Sequence, residues 1–327
     1  MITSQEQRFL IEAACAAGIS APELLRWANH LTGGVKPRCR PSTLNNDGTA
    51  VQLCESARSR STSVRLLADP SVAGEQVADG WDTSQRVVEE TLLGTNSAGL
   101  LSAWRMTVRH ALPDNVAAYP ELARGCCWTG IEPGRPGIAL YANVRWGAED
   151  EWWPRTKSWL SAVTGTPRAA SCLPASFVEQ TRVASVAVEG RGPEDGRAKV
   201  YVRFGSPGTL AGLGIDVLRS EVLLGFLEEV LGDEGMPVAG LTVAAGFEIS
   251  SGALVDAKLD ICAHCLPHTG ERWADIAEVL CSRLGIAPLL TPGMLRARFA
   301  ETALIGCAVN RTGGVRVNLY SKAPNYA

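Results

Sequence analysis

Four short runs of this chain alternate polar with apolar residues at period two. They are Tyr141-Ala-Asn143-Val-Arg145, Lys199-Val-Tyr201-Val-Arg203, Asp256-Ala-Lys258-Leu-Asp260 and Arg316-Val-Asn318-Leu-Tyr320. Period two marks a β-strand with two unlike faces. An ordinary half-exposed strand carries mostly Thr, Ser, Glu and Lys on its polar face, whereas Arg, Lys, Tyr and Asn dominate here. The runs begin 58, 57 and 60 residues apart, so one supersecondary unit repeats. Cationic and phenolic side chains presented from several strands point to one enclosed site for an anion, with something apolar beside it.

Between the strands, apolar residues fall at three- and four-residue spacing. This predicts helices over 4–28, 85–93 continuing through 100–110, 149–163, 210–231 and 272–284. Pro and Gly clusters at 133–137, 190–196, 250–252 and 311–314 each join two strand-like runs and read as hairpin turns. The hairpins pair 49–55 with 62–69, 125–132 with 137–146, 181–189 with 196–204, 241–249 with 253–262 and 303–309 with 314–321. Ten such strands, polar on one face and apolar on the other, close most readily into a barrel with helices outside. The expected fold class is α+β: a ten-stranded antiparallel β-barrel surrounded by α-helices, formed by residues 1–327 as one domain. A parallel (β/α)₈ barrel has one strand per helix and no hairpins, so the turns argue against it.

Composition excludes several function classes. The net charge of −3 and the scattered basic residues argue against a nucleic-acid partner. No run of about 20 apolar residues is present, so no transmembrane helix and no membrane partner are expected. The N-terminus reads as a capped amphipathic helix and not as a signal peptide. Ten cysteines then read as reduced and buried in a cytoplasmic monomer. Cys262-Ala-His264-Cys265 has metal-like spacing, but no second pair matches it, so no metal site is assigned. Residues 205–208 and 212–214 lack the Lys of a phosphate loop and the spacing of a dinucleotide fingerprint. No Gly-x-Ser-x-Gly elbow and no Asp-rich run are found. The Trp152-Trp153 pair with Trp159 reads as helix-to-barrel packing.

The candidate lumen residues are Arg65 of an earlier strand together with Tyr141, Asn143, Arg145, Lys199, Tyr201, Arg203, Lys258, Asp260, Arg316, Asn318 and Tyr320. Burying several cations together costs several kcal/mol per ion without a counter-charge. A bound polyanion would supply that charge, and Arg with Lys suits phosphate oxygens. Tyr hydroxyls add hydrogen bonds, and their rings offer faces to a cation. A diphosphate attached to a group that becomes a carbocation would use both.

Asn46-Asp-Gly-Thr-Ala-Val-Gln52-Leu-Cys with Ser63-Val-Arg65-Leu-Leu resembles the first hairpin of the ABBA-type aromatic prenyltransferases. Those comprise the indole prenyltransferases and the cyanobactin (patellamide-type) peptide prenyltransferases. Thr129-Gly-Ile-Glu132, Glu248-Ile-Ser-Ser-Gly and Val315-Arg-Val-Asn-Leu-Tyr-Ser-Lys322 are similar to the cyanobactin branch. The resemblance implies transfer of a dimethylallyl or geranyl group from its diphosphate to a nucleophilic, aromatic acceptor, either a peptide or a small molecule. It implies that Arg65, Arg145, Lys199, Lys258 and Arg316 grip the diphosphate, with Mg²⁺ as an optional helper, and that Tyr141, Tyr201 and Tyr320 shield the allylic cation. Where the family places a Glu that takes the acceptor proton, this chain has Gln52, which accepts a hydrogen bond but no proton at neutral pH. Glu55 would substitute only if a bulge turned it inward. The alternative is a degenerate barrel that binds a peptide or prenyl ligand without turnover. The small residues of Leu241-Thr-Val-Ala-Ala-Gly246-Phe suggest room for a ten-carbon donor.

Overall fold

The Thr3 hydroxyl accepts from the N–H of Glu6, and the Glu6 carboxylate accepts back from the N–H of Thr3, which starts helix α1 (Ser4–Ala17). Gly18 ends it in the left-handed region at φ +64°. Ser20 then caps α2 (Ala21–Leu31), so the single helix expected over 4–28 is two. The Glu6 carboxylate also receives the N–H of Ala50 at 3.0 Å, which fastens α1 to the first strand. The computed structural model describes residues 2–34, 41–72, 77–114, 118–119, 126–135, 137–204, 210–232 and 240–324. Residue 125, Pro136 and residues 205–208, which figure in the sequence reading, lie outside that set.

Five hairpins follow. They are β1 (Val51–Ala57) with β2 (Thr62–Ala68), β3 (Cys127–Ile131) with β4 (Ile138–Ala142) and β5 (Thr181–Gly190) with β6 (Arg197–Phe204). The last two are β7 (Leu241–Glu248) with β8 (Leu254–Cys262) and β9 (Glu301–Asn310) with β10 (Val315–Lys322). Each strand pairs antiparallel with its chain neighbour, and β1 closes on β10, from Leu53 opposite Ser321 to Ala57 opposite Val317. The expected ten-stranded barrel is the fold. Closure leaves no unpaired strand edge.

The five hairpin turns gather at one end of the barrel and the helical connections leave from the other. Gly190 shows why a turn needs its residue: φ is +128°, and a Cβ there would lie 2.9 Å from the carbonyl oxygen of Asp195. Outside the barrel lie α3 (Val77–Gly94), α4 (Leu101–Ala111), α5 (Trp152–Thr164), α6 (Arg168–Ser171) and α7 (Ala175–Gln180). They are joined by α8 (Glu221–Leu231), α9 (Gly270–Arg283) and α10 (Thr291–Arg296). The apolar alternates Val200, Val202, Leu259, Ile261, Val317 and Leu319 are buried under this layer. Trp159 is fully buried, and its indole donates to the Thr107 hydroxyl at 2.9 Å, tying α5 to α4. Trp153 donates to the Thr181 carbonyl at 3.0 Å and so joins the same helix to β5. No helix among the described residues is long and apolar enough to cross a membrane.

Candidate functional site

Register assigns the opposite alternates to the lumen. Tyr201 and Lys199 of β6 lie opposite Ala244 and Gly246 of β7, which in turn face Lys258 and Asp256 of β8. On the other side, Cys54 lies between Tyr320 of β10 and Arg65 of β2. Contacts that skip strands confirm the inward direction. Arg65 on β2 reaches Glu189 on β5, Tyr141 on β4 meets Tyr201 on β6 with ring centroids 5.8 Å apart, and Lys258 on β8 donates to the Tyr320 hydroxyl on β10.

Most cations of this lumen already have partners, where the sequence led us to expect a bound polyanion to supply them. Lys199 Nζ lies 2.8 Å from Glu189, and Arg65 lies 3.6 Å from Glu189 and 3.4 Å from Glu132. Arg197 pairs with Asp256, and Lys258 Nζ lies 2.7 Å from Asp260 Oδ1. Arg316, like Arg58 and Arg203 at the two ends, forms no ion pair among the described residues, and its buried Nε has no hydrogen-bond partner. Between the mouths, Arg65, Arg197, Lys199, Lys258 and Arg316 therefore face the four carboxylates Glu132, Glu189, Asp256 and Asp260.

The pKa shifts follow from this arrangement. Burial alone would raise the Glu189 carboxyl, but Lys199, Arg65 and Arg316 outweigh it and hold the group well below the usual carboxylate range. Burial opposes charge on Arg316, yet Glu189 and Asp256 hold its pKa above the ordinary value. For Lys199 burial wins, and the ammonium pKa falls in spite of Asp256 and Glu189. Burial also pushes the Tyr141 hydroxyl up to about 12 and those of Tyr201 and Tyr320 well above their ordinary value. All three phenols are thus neutral donors.

Two mouths flank this centre. At the hairpin end, Arg58, Arg197, Asp256, Asn310 and Arg316 line a cavity of about 230 Å³. At the helical end, residues 42–46 cross the opening above a cavity of about 400 Å³ lined also by Arg203, Cys262, His264 and Leu304. Gln52 is buried near this second mouth, and its Nε2 donates to Asn45 Oδ1 at 3.0 Å. Asn318 accepts from the Ser56 hydroxyl at 2.7 Å in the wall between.

Three expectations need correction. Arg145 is not an inward strand residue, because β4 ends at Ala142. The Asn143 side chain accepts from the Arg145 N–H at 3.0 Å and turns the chain, and the guanidinium stands beside Arg203. Glu55 faces out of the barrel, since β1 has no bulge between it and Gln52. Its carboxylate accepts from the N–H groups of Leu290 at 2.6 Å and Thr291 at 2.8 Å, at the start of α10. The small lumen face of β7 is not spare room either. A Cβ on Gly246 would lie 2.0 Å from Asp256, and Ala244 packs against Tyr201.

The sequence reading missed Arg197, although it is two residues before Lys199 and so shares its face. It missed Glu189 because Ala187 gives no polar alternation and the register of β5 shifts between Val183 and Ser185. Among the described residues, no group of three His, Cys, Asp or Glu side chains is arranged to hold a metal ion. The lumen carboxylates are engaged with cations, so the donor set does not fit a resident Mg²⁺.

No family profile and no curated protein matches the sequence. Solved structures do match in shape. The 5-dimethylallyltryptophan synthase from Streptomyces coelicolor superposes with a TM-score of 0.77 at 18% identity, covering 98% of this chain and 95% of that one. This chain has the fold of the dimethylallyltryptophan synthases. The 6-dimethylallyltryptophan synthase from Micromonospora olivasterospora, in complex with DMASPP and Trp, gives 0.73 at 16% identity over 98% and 96% of the two chains. AnaPT from Neosartorya fischeri gives 0.69 at 12% identity over 99% and 95%. The synthase fold thus spans essentially the whole chain, and the mouths, cations and phenols described above lie within it.

Proposed function

We propose that the chain is a prenyltransferase that moves a dimethylallyl or geranyl group from its diphosphate to an aromatic carbon or heteroatom of a tryptophan-like or peptide acceptor. The observation that carries this reading is the ring of Tyr141, Tyr201 and Tyr320 set between the arginines of one mouth and Gln52 near the other. The diphosphate would occupy the hairpin end, on Arg316, Arg197, Lys199, Arg65 and Lys258. The donor's C–O bond breaks, the electron pair leaves with the diphosphate, and the allylic cation lies against the tyrosine faces. The acceptor attacks from the Gln52 side, where Asn143, Arg145 and Arg203 line its approach. Gln52 takes no proton, so water or the departing diphosphate receives it. Free cysteines suit a cytoplasmic protein. Peptide acceptors of the cyanobactin type rest on the short sequence motifs alone.

A second reading is a barrel that binds a prenyl or peptide ligand without turnover. One observation favours it: Arg65, Arg197, Lys199 and Lys258 each already have a carboxylate. Incubation with dimethylallyl and geranyl diphosphates, each with L-tryptophan and with tryptophan- and tyrosine-containing peptides, separates the two by mass spectrometry. A mass gain of one prenyl unit on an acceptor supports transfer. Its absence from every pair, with ligand binding retained, supports the binder.

A further inference from the structure

Asn45 and Gln52 form a short amide relay whose polarity can be read without knowing any hydrogen position. Asn45 Nδ2 lies 3.1 Å from the carbonyl oxygen of Thr49 and 3.2 Å from that of Val51. Carbonyl oxygens only accept, so the atom facing them must be the NH₂ group. The other end of Asn45 is therefore an oxygen, and the Gln52 atom 3.0 Å from it must in turn be an NH₂ group. That leaves Gln52 Oε1. It has no hydrogen-bond partner among the described residues, and it is not among the buried polar atoms sealed from solvent. Both residues are buried, Asn45 at 6% and Gln52 at 1% exposure, so neither is free to reorient at no cost.

We propose that Asn45 is a positioning residue that locks Gln52 with its oxygen toward the lumen, so that the site selects an acceptor group carrying a neutral N–H or O–H. A flipped Gln52 would put its oxygen against the Asn45 oxygen. A flipped Asn45 would put an oxygen against two backbone carbonyls. The pair therefore has one stable setting, which presents a single bare acceptor at the helical end of the barrel. This inference rests on the prenyl-transfer reading only for the use made of that oxygen; the polarity itself does not depend on turnover.

The relay makes an unusual demand on Gln52→Glu. An ionised carboxylate there would face the Asn45 oxygen, so the folded protein keeps the new group protonated and its pKa raised. Stability is then near that of the wild type below the unfolded-state value of about 4.3 and is lost as pH rises through the folded-state value. Thermal melts from about pH 4.5 to 8 should show the deficit of Gln52→Glu growing with pH, and Asn45→Ala added to it should shrink that growth. An equal pH-dependent deficit with and without Asn45 overturns the relay, as does no pH dependence at all or a Gln52→Glu chain that is unfolded even at the acid end. A second measurement uses the wild type, saturated with pyrophosphate and titrated with indole and with benzothiophene. Indole should bind about tenfold tighter, the worth of one hydrogen bond at a site that would otherwise stay unpaired. Equal affinities, or no binding of either, overturn the selection. Transfer activity found alongside a failed relay would leave the prenyltransferase reading standing.

Discussion

The Cβ that Gly246 lacks would lie 2.0 Å from Oδ1 of Asp256, so a carboxylate on one strand fills the space of a missing side chain on the next. Gly306 and Asp260 repeat the relationship at the same distance. These two acids are built into the barrel wall, and each holds a lumen cation. Gly246→Ala should push Asp256 off Arg197 and lose about 1–3 kcal/mol of stability by overpacking. Urea unfolding measures it. A variant as stable as the wild type would mean the carboxylate moves aside at no cost.

The same carboxylates compete with any bound diphosphate. Asp256→Asn frees Arg197 and leaves Lys199 with less opposing charge nearby. Pyrophosphate should then bind about tenfold tighter, while Arg316→Ala, which removes a buried cation with no ion pair among the described residues, should weaken it about tenfold to a hundredfold. Calorimetry on the two variants reads opposite signs. Movement in the same direction would show that Asp256 organises the cations instead of shielding them.

Much of the barrel was legible because period two survives wherever polar residues face the lumen, and Pro-Gly turns mark where strands reverse. β6, β8 and β10 follow that pattern. β4 follows it only to Ala142, after which Asn143 turns the chain with its own side chain, a choice no periodicity records. β5 hides Glu189 because the lumen there is lined by small residues that make space for the neighbouring tyrosines. The relay between Asn45 and Gln52 was illegible for another reason. It joins a strand to a loop whose path depends on Ser42 bonding Asp69 at 2.7 Å and on Lys322 pairing with Asp47, contacts that reach far along the chain.

Acid should unfold the protein partly through Glu189. Its folded pKa is depressed, so its contribution is complete above the unfolded carboxyl value of about 4.3 and is lost as pH falls through the lower folded value. Glu189→Gln should cost about 3–5 kcal/mol near neutrality, because Lys199 and Arg65 lose their shared partner. The variant should also lose less further stability on acidification than the wild type. Denaturant midpoints measured from about pH 6 down to 3 test both parts. Parallel pH profiles would assign the acid sensitivity to other carboxylates, of which Asp256 and Asp47 are also depressed.

Glu55 and Gln52, three residues apart on β1, should fail in different ways. Glu55 accepts the N–H groups of Leu290 and Thr291 and the Thr291 hydroxyl outside the barrel, and so anchors α10. Glu55→Gln turns one acceptor into an NH₂ group facing those donors, which should lower stability by about 1–3 kcal/mol. It should leave kcat/KM for the acceptor unchanged. Gln52→Met keeps the side-chain length but removes the bare oxygen, so kcat/KM for an N–H acceptor should fall about tenfold with pyrophosphate affinity unaltered. Steady-state kinetics and thermal melts on the two variants distinguish the wall from the site. If Glu55→Gln proves the one that loses turnover while folded, the lumen side of β1 has been misassigned, and the proton acceptor lies on its outer face.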